Sequence, residues 1–445
     1  MILAAFGKDC CVMKSTSIAL LAALLSSTGI AFAQSDDSLS LAAAVRLAID
    51  NSFALRQAGA QARAADARIT QSESDYLPRV SVSADYTRIG PIPAFGFPGI
   101  GTIPLAPENN YAARLSATQT LLDLGLRSAK VESNLRTYRV VEDAERTIRS
   151  GLELQVTQDF YTVILLERSV AVQDRQLAAL HEHLRITRKR VESGSATDFD
   201  VLTTSVRVAQ AENVRIDLLH SLNDQKIALR KLLGLRWDAA ADVRGTFDES
   251  YGEEALDSLL AGAERDRPDL ITARHSLDVA GAQESVARRE NDPILRLHAA
   301  YGFNNGYEPN LNAIRGNWSA GVQLEVPLFD GHRTEGKAEE ATAMREAAEE
   351  RYRDLRRSAE SEIRQAVQAV GSARAKVEST SIQVQQAEAA VANARVRYES
   401  GAGTNLDLLD AETNVATARL QQLQAHYQLT MAVAGLNAST GMYGR

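Results

Sequence analysis

Cysteine is almost missing from this chain, and its two copies, Cys10 and Cys11, sit side by side near the start. From residue 12 onward the sequence can make no disulfide and no thiolate metal site. Long apolar runs are missing too. After Gln34 no stretch reaches about 18 apolar residues, which excludes a membrane-spanning helix there. If the chain is integral to a membrane, strands must do the spanning. Proline is absent over 108–267 and again after Pro327. Both stretches are therefore free to hold long unbroken helices, because an interior proline costs ~3 kcal/mol. Catalytic patterns are also lacking. No phosphate loop follows a strand pattern, and no nucleophile has a base pattern near it. His181 and His183 lie two apart, so they diverge on a helix and are expected as solvated surface residues, not metal ligands. No enzyme, cofactor or metal site is expected.

Acidic residues outnumber basic ones, 57 against 49, for a formal net charge of −8. Lys14, the apolar stretch 18–25 and the small-residue site Ala31-Phe32-Ala33 form the pattern of a secretory signal peptide over 1–33. Met13 suits that pattern better than Met1 as a start, because the charged region and apolar core follow it at ordinary distances. Removing 1–33 takes away Lys8, Lys14 and Asp9, so 47 basic against 56 acidic residues leave −9. A mildly acidic exported chain is a poor candidate for nucleic-acid binding.

The sequence says one thing twice. Arg190-Val191-Glu192-Ser193-Gly194 reappears as Arg397-Tyr398-Glu399-Ser400-Gly401, and the same spacing of 207 joins Leu229 to Leu436 and Gly234 to Gly441. Upstream, a spacing of 215 joins Leu55 to Leu270, Pro78 to Pro293 and Tyr86 to Tyr301. A tandem duplication is expected, with repeats over 34–234 and 253–445 joined by a mid-rod connection at 235–252. Over 332–398, apolar residues from Ala348 to Tyr398 recur every third or fourth position, with one gap of seven. That is a coiled-coil seam sustained far beyond the ~11–12 residues of an average helix. Its partner in the first repeat is 127–191. Return helices are expected at 198–233 and 406–436, and shorter helices at 40–76 and 253–291. The Glu- and Arg-rich run 346–364 is expected as a solvated face with i,i+4 ion pairs.

Four segments alternate with period two instead: 79–88, 110–122, 294–303 and 317–329. Val80, Val82, Ala84 and Tyr86 oppose Ser81, Ser83, Asp85 and Thr87, for example. Apolar-out, polar-in alternation over about ten residues fits transmembrane barrel strands. Four strands cannot close a barrel and an open edge cannot sit in lipid, so the barrel must be shared between chains. Three copies would give twelve strands. The Pro- and Gly-rich segment 89–107 is expected as an exterior loop, and His298 falls on the polar strand face.

The order of signal peptide, helix, strand pair, long helix, glycine turn and return helix, all repeated, resembles the TolC-type outer-membrane efflux proteins over essentially the whole mature chain. The residues carrying the resemblance are Leu41, Ala44, Leu47, Ala48 and Asn51; the run Leu328-Phe329-Asp330-Gly331-His332-Arg333; and Tyr398, Gly401, Thr404, Asp407, Leu409, Asp410 and Ala411. It implies a mixed α and β membrane protein: a homotrimer with a twelve-stranded barrel in outer-membrane lipid and a coiled-coil α-helical barrel in the periplasm. It also implies an outer-membrane exit duct of a tripartite efflux or type I secretion system, partnered by a periplasmic adaptor and an inner-membrane pump. Asp407 and Asp410, with Asp200 and Tyr398, match its periplasmic gate. Gly194 and Ser195, with Gly401, Ala402 and Gly403, match the tips that meet the adaptor. Gly403 stands where some members carry an arginine that helps hold the entrance closed. For Asp407 and Asp410 a second reading stays open, that of helix N-terminal residues satisfying free N–H groups. Six carboxylates in one ring would instead raise each other's pKa. The rival function is a periplasmic coiled-coil adaptor or spacer, which would carry one hairpin flanked by small β-domains.

Overall fold

The computed structural model describes residues 39–443, apart from 100, 240–241, 248–251 and 253–254. The signal-peptide expectation therefore lies outside the described residues. The described chain runs α1 (Leu41–Asn51), α2 (Phe53–Glu73), β1 (Arg79–Arg88), β2 (Ala94–Phe97), β3 (Gly101–Pro104), β4 (Asn109–Leu122), α3 (Leu126–Glu192) and α4 (Asp198–Leu232). It then runs α5 (Leu256–Asp266), α6 (Pro268–Arg289), β5 (Ile294–Asn304), β6 (Arg315–Glu325), α7 (Arg333–Glu399) and α8 (Asn405–Ser439).

The proline-free stretches hold the long helices. α3 and α7 have 67 residues each, and α4 and α8 have 35 each. At 1.5 Å per residue the longer pair reach ~100 Å. The two shorter helical patterns each break once where one helix was expected. Ser52 leaves helical geometry (ψ 119°) and its hydroxyl accepts from Leu55 N, starting α2 anew. At the matching place Arg267 is extended (ψ 116°) and Pro268 takes the first position of α6. Proline's fixed φ suits that position, and it also pushes the preceding residue out of the helical region.

Two apolar cores sit at corresponding places. Ala44 and Ala48 of α1 pack with Val156, Phe160 and Ile164 of α3 and Leu229 of α4. Leu259 and Ala263 of α5 pack with Ile363 and Val370 of α7 and Leu429 and Leu436 of α8. Described residues of the connection at 235–252 join the first core. Val243 is buried in the first core and pairs with Leu39, while Phe247 stacks on Tyr161 and His426. Laterally, α3 lies between α4 and α8, and α8 lies between α3 and α7; at the other end α2, α3, α6 and α7 follow one another.

The strands continue that order as a four-stranded antiparallel sheet, β1-β4-β5-β6. Register is what gives it two unlike faces. Val82, Leu115, Tyr301 and Trp318 form one row across all four strands, and Val80, Ala117, Ala299 and Ala320 form the next. Because side chains alternate with period two, every residue of these rows shares one face. That face is open: Val82 is 75% and Trp318 77% exposed. Two expectations are corrected here. The last strand spans Arg315–Glu325 instead of reaching 329, since Pro327 can donate no ladder hydrogen bond. The segment 89–107 is more than a loop, for β2 and β3 pair within it as a small hairpin.

Candidate functional site at the hairpin tips

Both long helices end in the same reversal. After α3, Gly194 N donates to Val191 O and Ser195 N to Arg190 O (2.8 Å); after α7, Gly401 N donates to Tyr398 O and Ala402 N to Arg397 O (2.8 Å). These paired bonds satisfy the last free carbonyls and need a left-handed residue at the reversal. Gly194 and Gly401 supply it, with φ of 76° and 78°. Gly403 N adds a second donor to Arg397 O at 2.9 Å.

Each return helix then opens with a capping box. Thr197 N donates to Asp200 Oδ2 (2.9 Å) while Asp200 N donates to Thr197 Oγ1. Thr404 N donates to Asp407 Oδ2 (3.0 Å) while Asp407 N donates to Thr404 Oγ1 (3.1 Å). Backbone donation from Thr404, then its side chain, and more weakly the charge of Arg397, hold the Asp407 carboxyl below the ordinary aspartate range. Within one chain, then, Asp407 makes the contacts of the helix-capping reading. Asp410 reaches across to the first hairpin, where Arg207 Nη2 donates to its Oδ1 at 3.0 Å.

Tyr398 is packed into the hairpin seam of the single chain. It is buried, its ring packs edge-on to His183 (5.2 Å between centroids), and the Arg190 guanidinium lies 4.4 Å above it. Arg190 also donates to the carbonyl of Tyr398 at 3.1 Å. The four expected gate residues thus fall in one region without touching as a group. What joins the two hairpins is a buried polar cluster that the sequence did not reveal. Asn405 Nδ2 donates to Asp200 O and to Thr204 Oγ1 (3.3 Å each), so its Oδ1 is the acceptor for His183 Nε2 at 2.6 Å. His183 is 4% and Asn405 7% exposed. The expectation of a solvated histidine is correct for His181, which faces Glu212, and wrong for His183. Its helix face is set by α8, a segment more than 200 residues away. Glu412 lies beside this cluster with Oε2 buried and unpartnered, and burial raises its pKa despite nearby His183 and Arg395. Thr187 Oγ1 closes the cluster on the His183 carbonyl.

The repeats differ most here. Leu409 is fully buried with Leu177, Leu180 and Leu184 of α3, whereas Leu202, its counterpart 207 residues earlier, is 64% exposed. The sequence held one signal of this: Asp198 in the first repeat becomes Asn405 in the second, an amide that can both donate and accept.

A family model described as outer membrane efflux protein matches residues 44–235 and 259–442. The chain is 26% identical over 340 residues to the alkaline protease secretion protein AprF of Pseudomonas aeruginosa, covering 75% of this chain and 70% of that protein. It is 25% identical over 419 residues to the outer membrane protein TolC of Vibrio cholerae, covering 88% of each. Its fold is similar to the crystal structure of the outer membrane protein VceC from Vibrio cholerae, with a TM-score of 0.77 at 21% identity, covering 90% of this chain and 96% of that one.

Proposed function

The chain belongs to the outer membrane efflux protein family, whose members are channels of the Gram-negative outer membrane serving efflux or secretion, and from that premise we propose how it builds its duct. Three copies close a twelve-stranded barrel, three times the four-stranded sheet of one chain, and their helices continue it as a tube. The observation that carries this reading is a sheet with an open apolar face and two unpaired edges, β1 and β6. Lipid tolerates the apolar face but not the edges, whose backbone groups need partners.

The helices support the same closure. In the chain α8 is sheltered by α3, but α4 has no such neighbour on its outer side, where Leu202, Val206 and Ile216 are exposed. By the spacing of 207, the surface that would shelter Leu202 is α7 of the next copy. Val384, Ala387 and Val391 occupy there the places that Leu177, Leu180 and Leu184 hold in α3. They are only half-buried in the single chain, while the three leucines are buried. An adaptor or spacer would need neither the sheet nor the second hairpin.

In this arrangement the duct does no chemistry of its own. The tips at Gly194, Ser195, Gly401, Ala402 and Gly403 meet a periplasmic adaptor joined to an inner-membrane pump. Asp407 and Asp410 line the entrance, where Arg207 rather than an arginine at 403 restrains the second hairpin. Reconstitution of the folded trimer in planar bilayers tests the reading. Steady conductance is expected, and its absence would refute the channel. Asp407→Ala with Asp410→Ala should weaken block by divalent cations; unchanged block removes the pair from the entrance.

A further inference from the structure

The polar face of the sheet carries a charge opposite to that of the whole chain. Following the register from β1 to β6, one row reads Arg79, Thr118, His298, Gly321; another reads Ser83, Arg114, Gly302, Asn317; and the next reads Asp85, Ala112, Asn304, Arg315. Arg296 lies one row before Arg79, beside Thr120 and Gln323, and Glu325 closes the face opposite Ile294. Each of the four strands therefore contributes one arginine to this face: Arg79, Arg114, Arg296 and Arg315. Against them stand Asp85 and Glu325, so four positive and two negative charges leave +2, on a chain whose formal net charge is −8.

Placement sharpens the count. The four arginines occupy four different rows. With ~3.4 Å per residue and two residues per row, they climb ~27 Å along the strands at steps of ~7 to 14 Å. Arg296 is neutralised locally, its Nη1 lying 2.7 Å from Glu325 Oε2. Among the described residues, Arg79, Arg114 and Arg315 have no ion pair and no side-chain hydrogen bond, and all three are exposed. Arg296 alone of the four is held by a partner strand's carboxylate. Three unpaired guanidinia on one concave-capable polar face, each with five donors, are instead available to solutes.

We propose that this face is the electrostatic filter of the duct and that it favours anionic solutes, those bearing carboxylate, phosphate or sulfonate groups. The inference rests on the channel reading above, in which the polar face lines the lumen. Three copies then bring twelve arginines and six carboxylates together, a net +6 within one barrel. Rings of arginine select anions when the walls have low dielectric constant, because field lines are confined to the pore. Spacing along the axis lets an anion pass from one guanidinium to the next without being trapped at a single deep site. Arg296 and Glu325 mark the end nearest the helices, and Asp85 with Arg315 the far end.

The test is ion selectivity of the full-length trimer in planar bilayers under a tenfold KCl gradient. Arg79→Gln, Arg114→Gln and Arg315→Gln together change the lumen charge from +6 to −3. The ratio of chloride to potassium permeability should fall about threefold or more, and the difference should shrink at 1 M salt, where the screening length is ~3 Å. The same three positions changed to lysine should keep the wild-type ratio, because charge is retained. A glutamine triple that conducts with an unchanged ratio overturns the filter and leaves the channel intact. A lysine triple that loses the ratio also overturns it, since shape and not charge would then be responsible. A wild-type trimer that does not conduct overturns the channel reading and this inference with it.

Discussion

Replacing Asn405 with leucine should loosen the seam between the two hairpins, and the size of the effect follows from counting what is left behind. The asparagine makes three contacts: it donates to Asp200 O and Thr204 Oγ1 and accepts from His183 Nε2. Two of the partners keep a substitute. Thr204 Oγ1 still donates to Asp200 O at 2.7 Å, so neither is orphaned. His183 is different. Its Nε2 belongs to a residue that is only 4% exposed, and Asn405 Oδ1 is the acceptor it loses. An orphaned buried donor costs about 1–3 kcal/mol. Leucine has similar bulk, so little cavity is added. If the cost appears as local opening, amides in the first turns of α8 should exchange hydrogen roughly 5–150-fold faster than in the wild type. The control is His183→Leu combined with Asn405→Leu. Replacing both partners with apolar groups is close to neutral, so exchange should return toward the wild-type rate. A double variant that opens by the sum of the two single effects would refute the reasoning, because it would show that the two residues do not act through each other.

Glu412 should give the seam a pH dependence of definite sign. Burial raises its folded pKa, so its contribution to stability is full below the unfolded glutamate range and is lost as pH rises through the raised value. Glu412→Gln should therefore flatten the loss of protection seen on going to neutral pH, measured by hydrogen exchange across that range. Asp407 works the other way, since its lowered pKa means that capping is lost as pH falls, and Thr404→Ala should cost about 1 kcal/mol of helix-start stability by removing the same box. Gly401→Ala forces a side chain into a left-handed backbone and should cost about 1–2 kcal/mol, visible as faster proteolysis at the second tip. Leu202→Cys with Ala387→Cys should cross-link copies under oxidation, and a ladder that stays at monomer on a denaturing gel would argue against the closure of α4 on a neighbouring α7.

Much of the fold was legible because it depends on local rules. The prolines bound the long helices, and α3 and α7 begin and end within a residue or two of the limits read from their apolar spacing. The glycine turns were legible for the same reason, since a left-handed residue at a helix end is a local demand. Alternation showed the strands, but the last one ran on in expectation because Val326 and Leu328 keep the pattern after Pro327 has ended the ladder. The break at Ser52 was missed because serine caps a helix only when the backbone turns there. Its counterpart at Pro268 was the visible clue.

The candidate site was less legible, and for one reason: its contacts join residues about 200 positions apart. Asp410 meets Arg207, and Asn405 meets His183, across two hairpins whose sequences contain no record of which helix shelters which. The sequence by itself determined what each segment is, because propensity, periodicity and proline placement act within a few residues. It also determined that the segments occur twice. Only the tertiary structure decided how unequally the two copies are buried, closing Leu409 against α3 while leaving Leu202 open. That difference arises because one chain offers α8 a neighbour on both sides and α4 a neighbour on only one, and burial belongs to the neighbours as much as to the residue.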